Sequence, residues 1–210
     1  MSADSPTTGP GRPKDPAKRE AILAAAQTLF LAHGYEGSSM DAIAAEAGVS
    51  KLTLYSHFND KETLFGAAVK TTCETRLPRR LFELQEGCRI EAVLRGIGEA
   101  LVELANSPES IGLHRAMAAM ATQNPALARM FYEVGPQRLL DDVTQLFAEA
   151  DRRGLLAVTE PARAAGHFCA LLKGTEHLRL LIGYERNGDA GATQAHVEDV
   201  VALVLRTYRS

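Results

Sequence analysis

The chain has 210 residues, 46% of them apolar and 23% charged, with a formal net charge of −3. That apolar share supports a sizeable core and excludes a mainly disordered chain, which has few apolar residues and a high net charge. The slightly acidic balance excludes a polycation, so any contact with nucleic acid has to come from a local patch.

Residues 1–15 carry Ser, Thr, Pro, Gly and charge without apolar periodicity and read as a disordered arm. From Pro16 the pattern turns helical and stays so. A first helix is expected over 16–33, with Ile22, Ala26, Leu29, Phe30 and His33 on one face and Gly34 as its stop. Ser38 or Ser39 caps a second helix carrying Met40, Ile43, Ala44 and Ala47. It ends at Gly48, and Ser50 starts a short third helix running to about Phe58. A fourth follows Asn59-Asp60 and runs toward Pro78. Further helices are expected over about 90–106, 109–123, 125–134, 136–153, 161–183 and 193–208, with Pro125, Pro136 and Pro161 at starts that tolerate proline. The expected class is all-α.

Residues 39–58, SMDAIAAEAGVSKLTLYSHF, carry the most information. Small Ala44 and Ala47 allow close helix approach, Gly48 permits a sharp turn, Val49 plugs the angle and Ser50 restarts the chain. This is the build of a helix-turn-helix. Leu54 and Phe58 can face inward. Ser50, Lys51, Leu52, Thr53, Tyr55, Ser56 and His57 then form an outward surface suited to a major groove.

Residues 16–69, with AGVSKLTLYSHFNDKETLF at their centre, resemble the DNA-binding domain of the tetracycline-repressor (TetR) family of bacterial regulators. The family core A-G-V-S-x-x-T-L-Y-x-H-F-x-x-K-E-x-L is matched from Ala47 to Leu64. The stretch 124–182, with NPALARMFYEVGP and ARAAGHFCALLKGTE, is more loosely similar to the C-terminal domain of the AefR-like branch. The resemblance implies an all-helical homodimer with an N-terminal three-helix DNA-binding domain and a C-terminal ligand-binding and dimerising domain. The expected division is an arm at 1–15, a helix-turn-helix domain at 16–62 and a helical domain at 63–210. One departure is Leu52, where the family often has Gly or Pro.

The candidate DNA contacts are Arg12, Ser39, Ser50, Lys51, Leu52, Thr53, Tyr55, His57 and Lys61. Lys51, Leu52, Thr53 and Tyr55 would face the groove, while Ser39, Tyr55, His57 and Lys61 would hold phosphate. Gly11-Arg12-Pro13 resembles the minor-groove core of AT-hook segments. Lys61, in the first turn of the fourth helix, opposes the helix dipole, which makes sense beside a phosphate; the bland alternative is a solvated lysine. His57, next to inward Phe58, is equally well read as packing at a helix end. Residues 1–70 hold seven basic against eight acidic side chains, so the case rests on placement: Asp41 and Glu46 on the outer face of the second helix, and Lys51 without an acid on the third.

In the C-terminal part a candidate pocket draws on Met117, Met120, Phe131, Phe168, Cys169 and Lys173, among the helices at about 90–106, 109–123 and 161–183. Each of these apolar residues is individually more often ordinary core. His114, Gln123, His167, Lys173, Glu176 and His177 are polar residues on or near apolar faces, able to line a ligand site or a dimer seam. The helices at 136–153 and 161–183 carry wide apolar faces, with Leu139, Leu140, Val143, Leu146 and Phe147 on one and Ala165, Phe168, Leu171, Leu172 and Leu178 on the other. Two copies of each could build a four-helix seam.

Cys73, Cys88 and Cys169 fit no disulfide or metal pattern, and reduced thiols in a cytosol are the simpler reading. No apolar run reaches the ~18–20 residues of a membrane span, and the N-terminus lacks the apolar region of a secretory signal. No nucleophile elbow, phosphate loop, dinucleotide fingerprint or metal set is present, so no cofactor or catalysis is expected. The reading that follows is a cytoplasmic regulator, not an enzyme: a repressor that binds a palindromic double-stranded DNA operator as a homodimer and is released by a small apolar effector. An all-helical enzyme or carrier lacks its acid–base set here. A non-specific architectural DNA binder fits poorly with a net charge of −3.

Overall fold

The computed structural model describes residues 15–184 and 190–209. Its helices are α1 (Pro16–His33), α2 (Met40–Glu46), α3 (Lys51–His57), α4 (Lys61–Arg76), α5 (Ile90–Asn106), α6 (Pro108–Met120), α7 (Pro125–Tyr132), α8 (Arg138–Arg152), α9 (Pro161–Ile182) and α10 (Ala190–Thr207). A short 3₁₀ turn, Arg79–Phe82, follows Pro78 and was not expected from the periodicity.

Side chains start most of the N-terminal helices. Asp15, Ser39, Ser50 and Asp60 accept from the backbone N–H groups of Ala17, Ala42, Thr53 and Thr63. Each such cap contributes about 1 kcal/mol by satisfying a donor that has no intrahelical partner. Ser39 rather than Ser38 caps α2. Ser38 is buried and its hydroxyl lies 3.0 and 2.8 Å from the carbonyls of Leu29 and Gly34, closing the end of α1.

Two apolar cores result. Ile22, Ala26, Phe30, Ile43, Leu54, Phe58, Leu64 and Phe65 form the first, which also takes in Met117, Leu127 and Phe131 from α6 and α7. Phe30, Tyr35 and Phe65 meet at its centre, with Phe65 edge-on to each of the other two at 5.2 Å. The second core joins α5, α8, α9 and α10 around Leu94, Ile97, Phe147, Phe168, Leu172 and Val200. Helix α4 begins in the first core and ends at Leu77 in the second.

Two expectations are corrected. The helices predicted to break at Gly135-Pro136 instead run on through a π-helical turn, Glu133–Gln137. The widened turn takes up the missing N–H and the ring of Pro136, which an α-helical turn would not tolerate. The helix predicted unbroken over 161–183 is kinked at Gly174, whose φ of 54° and ψ of −161° only glycine adopts cheaply. The carbonyls of Leu171 and Leu172 next to the kink accept from His196 Nε2 of α10, at 2.9 and 3.2 Å.

Candidate nucleic-acid interface and seam cavity

α2 and α3 are held together by a turn whose chemistry is local. Gly48, at φ +64°, reverses the chain, and the N–H of Val49 donates to the Ala44 carbonyl at 3.0 Å. Leu54 and Phe58 anchor α3 in the first core; burying two such side chains contributes about 1.5–3 kcal/mol each. What remains outside is the surface the sequence proposed. Lys51, Leu52, Tyr55 and Ser56 are exposed, Leu52 to 82%. Thr53 is half-buried and its hydroxyl lies 2.8 Å from that of Ser50. A residue of leucine's size left this bare on a seven-residue helix is covered by nothing among the described residues.

The structure alters three details of this surface. Lys51 is not free of acids, because its Nζ donates to Asp41 of α2 at 2.8 Å and the pair is exposed. Lys61 is half-buried, with its ammonium 4.2 Å above the ring centre of Tyr35, a cation–π contact rather than a solvated position. The N-terminus of α4 beside it is already capped by Asp60, whose carboxylate takes the Thr63 N–H at 2.7 Å and is held low by that bond. A phosphate there would share the helix end with this carboxylate. His57 packs inward: its Nδ1 is buried and lacks a hydrogen-bond partner among the described residues, which leaves only Nε2 for an outside contact. Ser39 is exposed at the start of α2. Arg12 lies outside the described residues.

A cavity of about 530 Å³ lies at the seam between the two cores. Its wall takes Gln27 and Phe30 from α1, Val69 and Arg76 from α4, and Leu101 from α5, with further residues of α6, the π-turn, α8 and α9. The cavity is thus bounded by α1 and α4 of the N-terminal bundle, beyond the three helices from which it was expected. Of the six pocket candidates, Phe131, Cys169 and Lys173 are on the wall. Met117 and Met120 are not: Met117 is buried in the first core and Met120 packs against it. Phe168 faces the opposite side of α9 and meets Phe147 edge-on at 5.9 Å. Helical direction explains the split, since Gly166, Cys169, Ala170 and Lys173 follow one stripe of α9 and Phe168 another.

The wall's polar groups include several that the periodicity did not single out. Arg138 reaches Glu74 and Asp142, each at 3.7 Å, and burial raises the Asp142 carboxyl. Arg76 pairs with Glu103 at 3.3 Å. The only sequence signal for these was the i, i+4 spacing of Arg138 and Asp142. His114, on the wall, stacks edge-on against Phe131 and His177. His167 and Gln123 are exposed and outside the cavity. Among the described residues no three His, Cys, Asp or Glu side chains are placed to hold a metal ion, and no helix is long and apolar enough to cross a membrane.

A helix-turn-helix carried on an all-helical chain, with a cavity at its base, defines a DNA-binding protein of the regulatory kind. Residues 22–68 match the family model for bacterial regulatory proteins of the tetR family, and residues 92–210 match the C-terminal domain of AefR-like transcriptional repressors. The chain belongs to the TetR family. It is similar to a TetR-family transcriptional regulator from Mesorhizobium loti, at 30% identity, with 92% of this chain and 98% of that one covered and a TM-score of 0.80. It is also similar to the flavonoid-responsive regulator FrrA, at 30% identity, the same coverage and a TM-score of 0.69. The HTH-type transcriptional regulator YdeS of Bacillus subtilis is 38% identical over 68 residues, which is 32% of this chain and 34% of that relative's length.

Proposed function

We propose that the chain is a cytoplasmic repressor that binds a palindromic operator as a homodimer and leaves it when a small, largely apolar effector fills the seam cavity. The observation that carries the DNA half is the bare surface of α3: Leu52 is 82% exposed beside Lys51 and Tyr55, on a helix otherwise anchored by Leu54 and Phe58. In this reading Lys51, Leu52, Thr53 and Tyr55 face the major groove, with Ser50 at the entry. Ser39, Tyr55, His57 and Lys61 hold the backbone, and Arg12 reaches the minor groove.

The seam expected from α8 and α9 is redrawn. Val143, Leu146, Phe147, Ala165, Phe168 and Leu172 are buried in the chain's own core and are unavailable to a second copy. On α9 and α10 the large apolar side chains left bare, among the described residues, are Leu171, Leu178 and Ile182 of α9 and Leu203 of α10. Pairing of α9 and α10 with their copies about a two-fold axis would cover them.

Coupling follows from the cavity's walls. An effector there touches α1 and α4 directly, and Arg76 lies in the last turn of α4. A dimer fits successive major grooves only when its recognition helices are about 34–36 Å apart or a multiple of that, so an effector that favours another spacing dissociates the complex to the extent of its preference. FrrA, by its name, is flavonoid-responsive, which supports a small-molecule input for this chain.

The test is selection of bound duplexes from a random DNA pool by the full chain, followed by footprinting. The expected result is one enriched inverted repeat with two protected half-sites. Absence of any enriched sequence would reject the operator reading.

A further inference from the structure

We infer that the seam cavity takes an anionic amphiphile, an apolar body ending in a carboxylate-type head, with the head on Lys173. This rests on the effector reading above and adds the chemical class of the ligand. The two arginines of the wall are balanced within the chain. Arg138 sits between Glu74 and Asp142, and Arg76 reaches Glu103. Lys173 is half-buried on the wall, and no hydrogen bond or ion pair is formed by it among the described residues.

The groups around that ammonium do not neutralise it. Cys169, one turn earlier on the same stripe of α9, has its thiol pushed up to about 11 by burial, so it is no thiolate. His114 and His177 are both held neutral, chiefly by burial and in part by the charge of Lys173. Their Nδ1 atoms are committed, to the Ser110 carbonyl at 2.6 Å and to Asn106 Oδ1 at 2.9 Å. Glu109, the other wall charge with no ion pair among the described residues, is exposed in the first turn of α6, where the helix dipole stabilises it. A lysine half out of water beside an apolar volume of about 530 Å³ therefore lacks a counter-ion. An anion supplied from outside makes a charge-assisted hydrogen bond in a medium where it is stronger than in water. The remaining wall, with Leu101, Leu104, Leu113 and Phe131, suits an apolar body.

The experiment is calorimetric titration of the full chain with decanoate and with decanamide, which share an apolar body and differ in head charge. Wild type should bind decanoate at least about tenfold more tightly than decanamide. Lys173→Met should bind the two alike, by losing affinity for decanoate while keeping that for decanamide, which also reports an intact fold. Lys173→Arg should keep the preference. A preference that survives in Lys173→Met overturns the assignment of the head to Lys173. Equal binding of both probes by wild type overturns the anionic class and leaves the cavity reading standing. No binding of either probe by wild type overturns both.

Discussion

Lys51 Nζ lies 2.7 Å from Asp41 Oδ1, so the only lysine of α3 is tied to α2. The bond holds the lysine firmly protonated. In the proposed binding mode it also places a carboxylate where phosphates approach, and Asp41 would have to release or share its partner on docking.

Asp41→Asn removes that competition. It should tighten binding to operator and to unrelated DNA severalfold at low salt, and steepen the salt dependence by about one unit of slope as Lys51 becomes available to a phosphate or base. Filter binding over a salt series measures both. Unchanged affinity and slope would place Asp41 away from the DNA.

Leu52, proposed to face the groove, is the most specific probe of that binding mode. An exposed leucine has nothing to offer a base edge except apolar contact, and in the major groove that means the C5-methyl of thymine. Replacing each operator thymine by deoxyuridine in turn should reveal one position per half-site where loss of the methyl weakens wild type. Leu52→Ala should be insensitive at that position. If no position responds, Leu52 lies over the backbone.

Tyr55 and Lys61 are assigned to phosphate. Tyr55→Phe and Lys61→Ala should weaken binding to all sequences alike, and the lysine change should lower the salt slope by about one. Because Lys61 sits on the Tyr35 ring, Lys61→Ala should also cost about 0.5–1 kcal/mol of stability at this partly exposed site. A sequence-selective loss would instead assign these side chains to base readout.

The dimer seam is tested at Leu178 and Ile182, 55% and 69% exposed. Leu178→Arg and Ile182→Glu should leave the protomer folded, since neither contributes to the cores, and should shift it to a monomer in sedimentation with loss of operator binding. A dimer that survives both changes would place the seam elsewhere.

Acid should destabilise the chain through His177. Burial, with Lys173 and His114 adding to it, pushes this imidazole from 6.5 down to about 4. The unfolded chain therefore binds a proton that the folded chain does not, so the stability is complete above pH 6.5 and is lost as pH falls from 6.5 toward 4. The loss is on the order of 2–3 kcal/mol, and His114, lowered in the same direction, adds to it. Urea midpoints at about pH 7 and pH 4.5 should differ less in His177→Gln than in wild type. An equal difference in both would assign the acid sensitivity to other groups.

The sequence by itself determined the helices and the helix-turn-helix, because the signals are local. Caps at Ser39 and Ser50, the positive φ at Gly48 and the inward pair Leu54 and Phe58 all act within a few residues of one another. The stretch 47–64 also resembles its family closely enough to name it. Four things were decided only by tertiary packing. Pro136 entered a helix because a π-turn and its neighbours on α4 could accommodate it. Phe168 went wholly to the core while Cys169 and Lys173 reached the cavity, since residues on different faces of α9 meet different partners. Much of the apolar faces on α8 and α9 that looked free for a dimer packs within the chain, while Leu171 and Leu178 stay bare, because one stripe pattern serves intrachain and interchain packing equally well. The ion pair of Lys51 with Asp41 joins residues ten apart across a turn, so no periodicity along either helix announced it; its existence depends on the angle at which Gly48 and Val49 set α3 against α2.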